Sequence, residues 1–472
     1  MKFDAYDILK IDTTIVIFIV VTCFAAIVSF GGKNWRRASG LLLIFSTAML
    51  LGNLFFSSKE IVLYKYLTLS KIEVRFAMLL CLLNILTVVI NGIQKYFDLG
   101  SSILSSFMLI FSIFILGTSN LIAFFVFIEA LSYIMSVLPQ FSNRKEAIEI
   151  SIKSGLSNTI VSTIFFIGVG IFYMATGRMG LENIVVGNEM AYRISIVLLL
   201  TTMIFKIGLA PLNFWVLAIH QGISRGQIIS YFFTFLAPVI YVFTVTMQTI
   251  LAKSSPAFHS SILLAMAVIF VTSNIYGNIM SLAQRELRKS LSYNGIAQIS
   301  LLAAVILLSD KHGNIRSLMY HLVITMLSLS LAFSVILELW AQDQKEKITF
   351  SGVKRYFVAS NFGKWKFIFA ILILTGAPLS GVIVSRALLF SGLISDGHLL
   401  VSFVFIISSV LGVVALLRFI AEVNVYPQEM DLLLASSNET EIGRVTISST
   451  IMQMALIIAL IVLGIFPSIF IK

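Results

Sequence analysis

Apolar stretches of about twenty residues recur along the chain from residue 14 to its end, separated by short segments that hold most of the charged side chains. About twenty residues of helix cross the roughly 30 Å hydrocarbon core of a bilayer, so each stretch reads as a transmembrane helix. The pattern predicts fourteen spans, within 14–31, 38–57, 76–94, 101–118, 121–138, 153–175, 194–219, 226–252, 259–283, 291–309, 317–340, 367–395, 399–421 and 448–471. Runs such as 194–201 and 367–374 lack the alternating polarity of barrel strands. The fold expected is therefore an all-α polytopic membrane protein forming a single membrane domain over 1–472.

Two spans are interrupted. In the seventh, IFKIGLAPLNFW, Gly208 and Pro211 follow Lys206, and a proline inside a helix removes one hydrogen bond and clashes with the preceding turn. In the twelfth, Gly376, Pro378, Ser380 and Gly381 come in quick succession, with Arg386 beyond them. Interrupted helices five spans apart are the mark of inverted repeats. The expected division is N-terminal helices over 1–100, a first repeat over 101–252, a second over 259–421, and a loop with a last helix over 422–472.

Composition agrees with a lipid solvent: 58% of residues are hydrophobic and 12% charged, against about a quarter charged in soluble domains. The net charge of +11 forms no extended basic face, so nucleic acid is not an expected partner. More than half of the 33 Lys and Arg residues fall in loops after odd-numbered spans. The positive-inside tendency then puts both termini outside and the basic stretch 345–366 inside, an orientation that leaves the sequon at Asn438 unused. Acids cluster at 422–441, and RELRKS at 285–290 reads as a positive-inside loop. The first residues show no cleavage-site pattern, so no removable leader is expected. Cys23 and Cys81 both lie in apolar runs and read as packing residues, and two thiols fall short of the four ligands an iron–sulfur cluster needs. No metal-ligand spacing, phosphate-cradling loop or nucleophile triad appears. The 39 Phe residues suit an AT-rich organellar genome as well as lipid-facing helices.

An ionisable group at mid-bilayer costs about 2.5 to 3.5 kcal/mol on insertion scales, so it needs a partner, a wet cavity or a function. Glu129 sits about nine residues from either end of its span, some 13 Å from each surface, beyond the reach of its side chain. Lys206 is as central, and the carbonyls freed by Pro211 are expected to receive its ammonium. An inert buried ion pair is the alternative for these two. Lys153 either lines a hydrophilic path or anchors the sixth span. His321 either carries a proton or packs through a hydrogen bond. Arg418, near a helix end, is explained by snorkelling.

These residues lie in motifs that resemble a family. FKIGLAPLNFWVLAIHQG at 205–222, RKSLSYNGIAQISLL at 288–302 and TGAPLSGVIVSR at 375–386 resemble segments of the antiporter-like membrane subunits, subunit 2 of respiratory complex I above all. Glu129, in FIEALSYIMSVL, falls where that family has its fifth-helix glutamate. The resemblance, over roughly 102–420, implies two inverted five-helix repeats and proton transfer along a polar midplane axis. It makes Lys206 the titrating group, Glu129 its charge partner and Lys153 their neighbour; His321 and Arg386 are the further proton-transfer candidates. It implies no cofactor in this chain, NADH, flavin, iron–sulfur clusters and ubiquinone belonging to other subunits. The partners implied are the other complex I membrane subunits and the lipid bilayer, in the mitochondrial inner membrane or a bacterial plasma membrane.

The chain departs from the family in places. The eighth span offers Ser230, Tyr231, Thr234 and Tyr241 where the family has a lysine. The twelfth-helix lysine is replaced by Arg386, or by Ser385 if a gap is read, and two family histidines correspond to Asn213 and Gln298. Two other readings stay open: a subunit of a multisubunit cation/proton antiporter or membrane-bound hydrogenase, and a structural membrane module that has lost transport.

Overall fold

The computed structural model describes residues 13–28, 33–56, 61–64, 67–93, 99–142, 146–304, 314–343, 361–378, 380–424 and 447–467. The sequon at Asn438, most of the basic stretch and most of the acidic cluster lie outside them. Among the described residues each of the fourteen predicted spans holds helix, the seventh, eighth and twelfth as two segments each, which makes seventeen helices. In chain order these are α1 (Thr13–Val28), α2 (Lys33–Phe56), α3 (Lys71–Ile93), α4 (Leu99–Leu116), α5 (Leu121–Val137), α6 (Ala147–Thr176), α7 (Glu189–Ile207) and α8 (Phe214–Gly222). The series continues with α9 (Arg225–Ser230), α10 (Ala237–Leu251), α11 (Pro256–Ala283), α12 (Leu287–Ala303), α13 (Asn314–Asp343), α14 (Asn361–Thr375), α15 (Gly381–Ser395), α16 (Leu399–Asn424) and α17 (Ile447–Ile465).

Both predicted interruptions are present. Helix α7 stops at Ile207, Gly208 takes φ +79, Ala210–Pro211 is cis, and α8 starts at Phe214. Helix α14 stops at Thr375, Gly376 takes φ +92, and α15 starts at Gly381. Glycine is required at both positions, because L side chains rarely adopt such φ values. A Cβ at Gly208 would also lie 2.2 Å from Val216 Cγ2.

The structure adds two features that periodicity does not show. The short strands β1 (Ile61–Tyr64) and β2 (Leu67–Leu69) pair as an antiparallel hairpin. The eighth span is not uniformly α: Tyr231–Leu236 between α9 and α10 forms a π-helical turn. The hydroxyl of Ser112 donates to the carbonyl of Thr234 within that turn.

The chain divides into two compact units, Met1–Ile207 with Gly222–Ile262, and Gly208–Gln221 with Leu263–Lys472. In the first unit the stretch 226–251 is almost wholly buried. Helices α6 and α7 approach closely at Gly168, where a Cβ would sit 3.2 Å from Leu198 Cβ. Ile148, Ile152, Leu156 and Ile160, each four residues apart on α6, are exposed. An exposed apolar stripe of this kind faces lipid rather than water. In the second unit α13 takes the central place, every residue of its apolar window being buried.

Candidate functional site

Helix α5 starts on Asn120, whose Oδ1 accepts from the backbone N–H groups of Ile122 at 2.9 Å and Ala123 at 3.4 Å. That cap satisfies donors a helix end leaves open and sets where the helix begins. Glu129, Ser132 and Ser136 then follow at i, i+3 and i+7 and share one face, all three buried. Helix α6 brings Asn158 and Ser162, four residues apart and buried, to the same place. Helix α7 brings Lys206, one residue short of its end.

The side chains meet around the ammonium. Lys206 Nζ donates to Glu129 Oε1 at 2.8 Å and to Ser132 Oγ at 3.0 Å, with Asn158 Oδ1 and Ser162 Oγ each at 3.5 Å. Ser162 donates to the other carboxylate oxygen, so both oxygens of Glu129 are engaged. Asn158 is itself held, its Nδ2 donating to Ser136 Oγ at 3.0 Å. Lys206 is 1% exposed, which excludes solvation of the ammonium by bulk water and leaves the carboxylate to neutralise it. An unpaired charge at such a site is strongly destabilising, by about 3 to 5 kcal/mol when one partner is removed.

This corrects the expectation that the freed carbonyls of the interruption receive Lys206. Its partners are four side chains from α5 and α6. At the interruption itself the N–H of Ala210 donates to Ser273 Oγ at 2.6 Å. Lys153 is also not brought to the pair. It is 70% exposed and joined to Glu149 one turn earlier. Five residues before Asn158, it lies about 140° around α6 from the face that holds Lys206.

At the second interruption Arg386 does use the freed carbonyls. Its Nη1 donates to Thr375 O at 3.0 Å, and its Nη2 to Leu374 O at 3.2 Å and to Gln298 Oε1 at 3.0 Å. The guanidinium thus caps the end of α14, where carbonyls lack partners and a cation is favoured. His321 is 3% exposed, and neither ring nitrogen has a hydrogen-bond partner among the described residues. Burial first, and then the charge of Arg386, acts on that ring. Pro378 lies within the same interruption, and Gly381 packs against Ile324 so tightly that a Cβ would come within 2.5 Å of its Cδ1.

Three residues read differently in the structure. Arg288, expected in a loop, is 3% exposed on the first turn of α12, with Nε donating to the carbonyl of His220 at 2.6 Å. Arg418, expected to snorkel, instead donates from both terminal nitrogens to the carbonyls of Leu282 and Gln284 at the end of α11. Lys366, expected in the basic stretch, is 1% exposed and paired with Glu338. Among the described residues no group of three or more His, Cys, Asp or Glu side chains is placed to hold a metal.

Comparison with known proteins covers most of this architecture. Residues 118–412 match the family model described as NADH:quinone oxidoreductase/Mrp antiporter, transmembrane. NADH-quinone oxidoreductase subunit N of Flavobacterium psychrophilum is 26% identical over 375 residues, 78% of this chain and 78% of that protein. A chain of respiratory complex I from Thermus thermophilus superposes with a TM-score of 0.78 at 20% identity, covering 97% of this chain and 98% of its own. A chain of the Mrp complex from Dietzia sp. superposes with a TM-score of 0.77 at 16% identity, covering 97% of this chain and 95% of its own.

Proposed function

The chain belongs to the NADH:quinone oxidoreductase/Mrp antiporter transmembrane family, and from that premise we propose that it is the proton-translocating, antiporter-like membrane subunit of an NADH:quinone oxidoreductase. The observation that carries the proposal is the Glu129–Lys206 ion pair at 2.8 Å, set two residues before a glycine with φ +79. A lysine can release its proton, and its charged form depends on how near the carboxylate lies. The helix interruption supplies a place where that separation can change.

In this reading Lys206 gives a proton from Nζ when its contact with Glu129 lengthens, and regains one when the contact closes. Ser132, Ser162 and Asn158 hold both groups in line between these states. In the second unit Arg386 supplies a fixed charge, since arginine does not deprotonate in proteins. Lys153, on the exposed face, is not placed on this route. Residues 101–252 and 259–421 are proposed as the two inverted repeats.

NADH, flavin, iron–sulfur and quinone chemistry are assigned to partner subunits, and this chain to the movement of protons that they drive. The relatives compared by sequence favour an NADH:quinone oxidoreductase over an Mrp antiporter, while the solved structures are alike for both. The bacterial source of those relatives favours a bacterial plasma membrane over the mitochondrial inner membrane. Purification in mild detergent tests the assignment: the chain is expected to co-migrate with an NADH-oxidising activity. Co-migration with sodium/proton exchange and no NADH oxidation would refute it.

A further inference from the structure

We propose that Glu338 and Lys366 form a second proton-holding site, separate from the Glu129–Lys206 pair, in which Gln453 of α17 fixes the carboxylate. The proposal rests on the reading of this chain as a proton-translocating subunit. Lys366 Nζ lies 3.1 Å from both carboxylate oxygens of Glu338. Gln453 Nε2 donates to Glu338 Oε2 at 2.7 Å, and Lys366 reaches Thr450 Oγ1 at 3.4 Å. The ring of Phe362 covers the ammonium at 5.6 Å from its centroid. Glu338 is 2% exposed, Lys366 1% and Gln453 0%. Among the described residues no other ionisable side chain is in hydrogen-bond or ion-pair contact with either member of the pair.

Stability alone is a weak reason for such a pair. Well-packed apolar residues of similar volume generally replace a buried ion pair without loss, whereas a lone charge is severely destabilising. What the pair can do that an apolar contact cannot is exchange a proton. Transfer of one N–H proton from Lys366 to Glu338 turns ammonium and carboxylate into amine and carboxylic acid and creates no net charge in the protein interior. Loss of the acid proton then leaves amine beside carboxylate, and protonation of the amine restores the pair. One proton has entered and one has left, with no oxidant or reductant involved.

The surroundings suit that exchange. Lys366 follows the first residue of α14 by five positions, about 8 Å along the helix axis, and the chain before α14 is rich in basic and polar residues. The ammonium therefore lies about one and a half turns from the N-terminal end of the helix. Gln453 Oε1 is buried without a donor among the described residues. It offers an acceptor beside the pair for an arriving water or hydronium. The amide is oriented by the carboxylate itself, because only its NH₂ side can face Glu338.

The test uses the assembled complex in proteoliposomes and measures protons moved per NADH oxidised. Three forms are compared: Lys366→Arg, the doubly neutral Glu338→Gln with Lys366→Met, and Lys206→Arg as the control for the first pair. Lys366→Arg keeps the ion pair and removes the releasable proton, while the double variant removes both charges at similar volume. The proposal expects both to assemble and both to lose pumping. Retention of pumping by either overturns it, and so does failure of the double variant to assemble, since the pair would then be an anchor of the fold. Should Lys206→Arg pump normally, the reading of the whole chain fails. If Lys206→Arg loses pumping while either variant of the Glu338–Lys366 pair keeps it, only the second site is overturned.

Discussion

Lys206 and Glu129 are 77 positions apart in the chain and meet at 2.8 Å, the lysine 1% exposed and its last helical turn ending one residue later. The pair joins the end of α7 to the middle of α5. Every further property proposed for the first unit depends on that contact.

Removing the carboxylate should cost stability before it costs transport. Glu129→Ala leaves the ammonium with hydroxyl and amide partners only, and an unpaired buried charge costs about 3 to 5 kcal/mol. The expected outcome is a lower yield of assembled complex on native gels and a lower melting temperature. Glu129→Ala combined with Lys206→Met should recover much of the assembly, because no charge is then left unpaired. An unchanged melting temperature for Glu129→Ala alone would contradict the burial argument.

A side chain at the glycine of the first interruption should be costly. Gly208→Ala meets both a φ of +79 and Val216 Cγ2 at 2.2 Å from the added carbon. Backbone strain of this kind costs about 1 to 3 kcal/mol. Gly376→Ala, at φ +92 with a nearest contact of 3.4 Å to Arg386, carries the backbone cost without the clash. Thermal stability of the assembled variants should fall more for Gly208→Ala than for Gly376→Ala.

Arg386 should behave as a cap. Its guanidinium spans Leu374 O, Thr375 O and Gln298 Oε1, a fork that a single ammonium does not reproduce. Arg386→Lys should therefore destabilise α14 and α15 while preserving charge. Amide hydrogen exchange of residues 372–383 should rise in that variant, and unchanged exchange there would argue against the capping role.

The pattern of apolar runs made the helices legible, because crossing a bilayer imposes a length and a polarity that few other folds share. Glu129 and Lys206 were legible for the same reason, as single charges deep in apolar runs. Their supports were not. Ser132, Asn158 and Ser162 are ordinary in membrane helices, and only their spacing at i+3 and i+4 on facing helices distinguishes them. The pairing of Glu338 with Lys366 was hidden because each lies at a span end, where a charge normally reaches the interface. Arg288 and Arg418 were hidden in the same way. The π-helical turn Tyr231–Leu236 leaves no mark in hydropathy, since its residues are as apolar as those of an α-helix.

The central claim is that Lys206 titrates, and the assembled Lys206→Arg complex tests it most directly. Arginine keeps a cation beside Glu129 but does not release a proton. Proton pumping and NADH oxidation are measured together in proteoliposomes. The account predicts that pumping is lost, with NADH oxidation falling in step where coupling is tight. Normal pumping by an assembled Lys206→Arg complex would contradict it, leaving Glu129 and Lys206 as an ion pair that holds helices together and moves no proton.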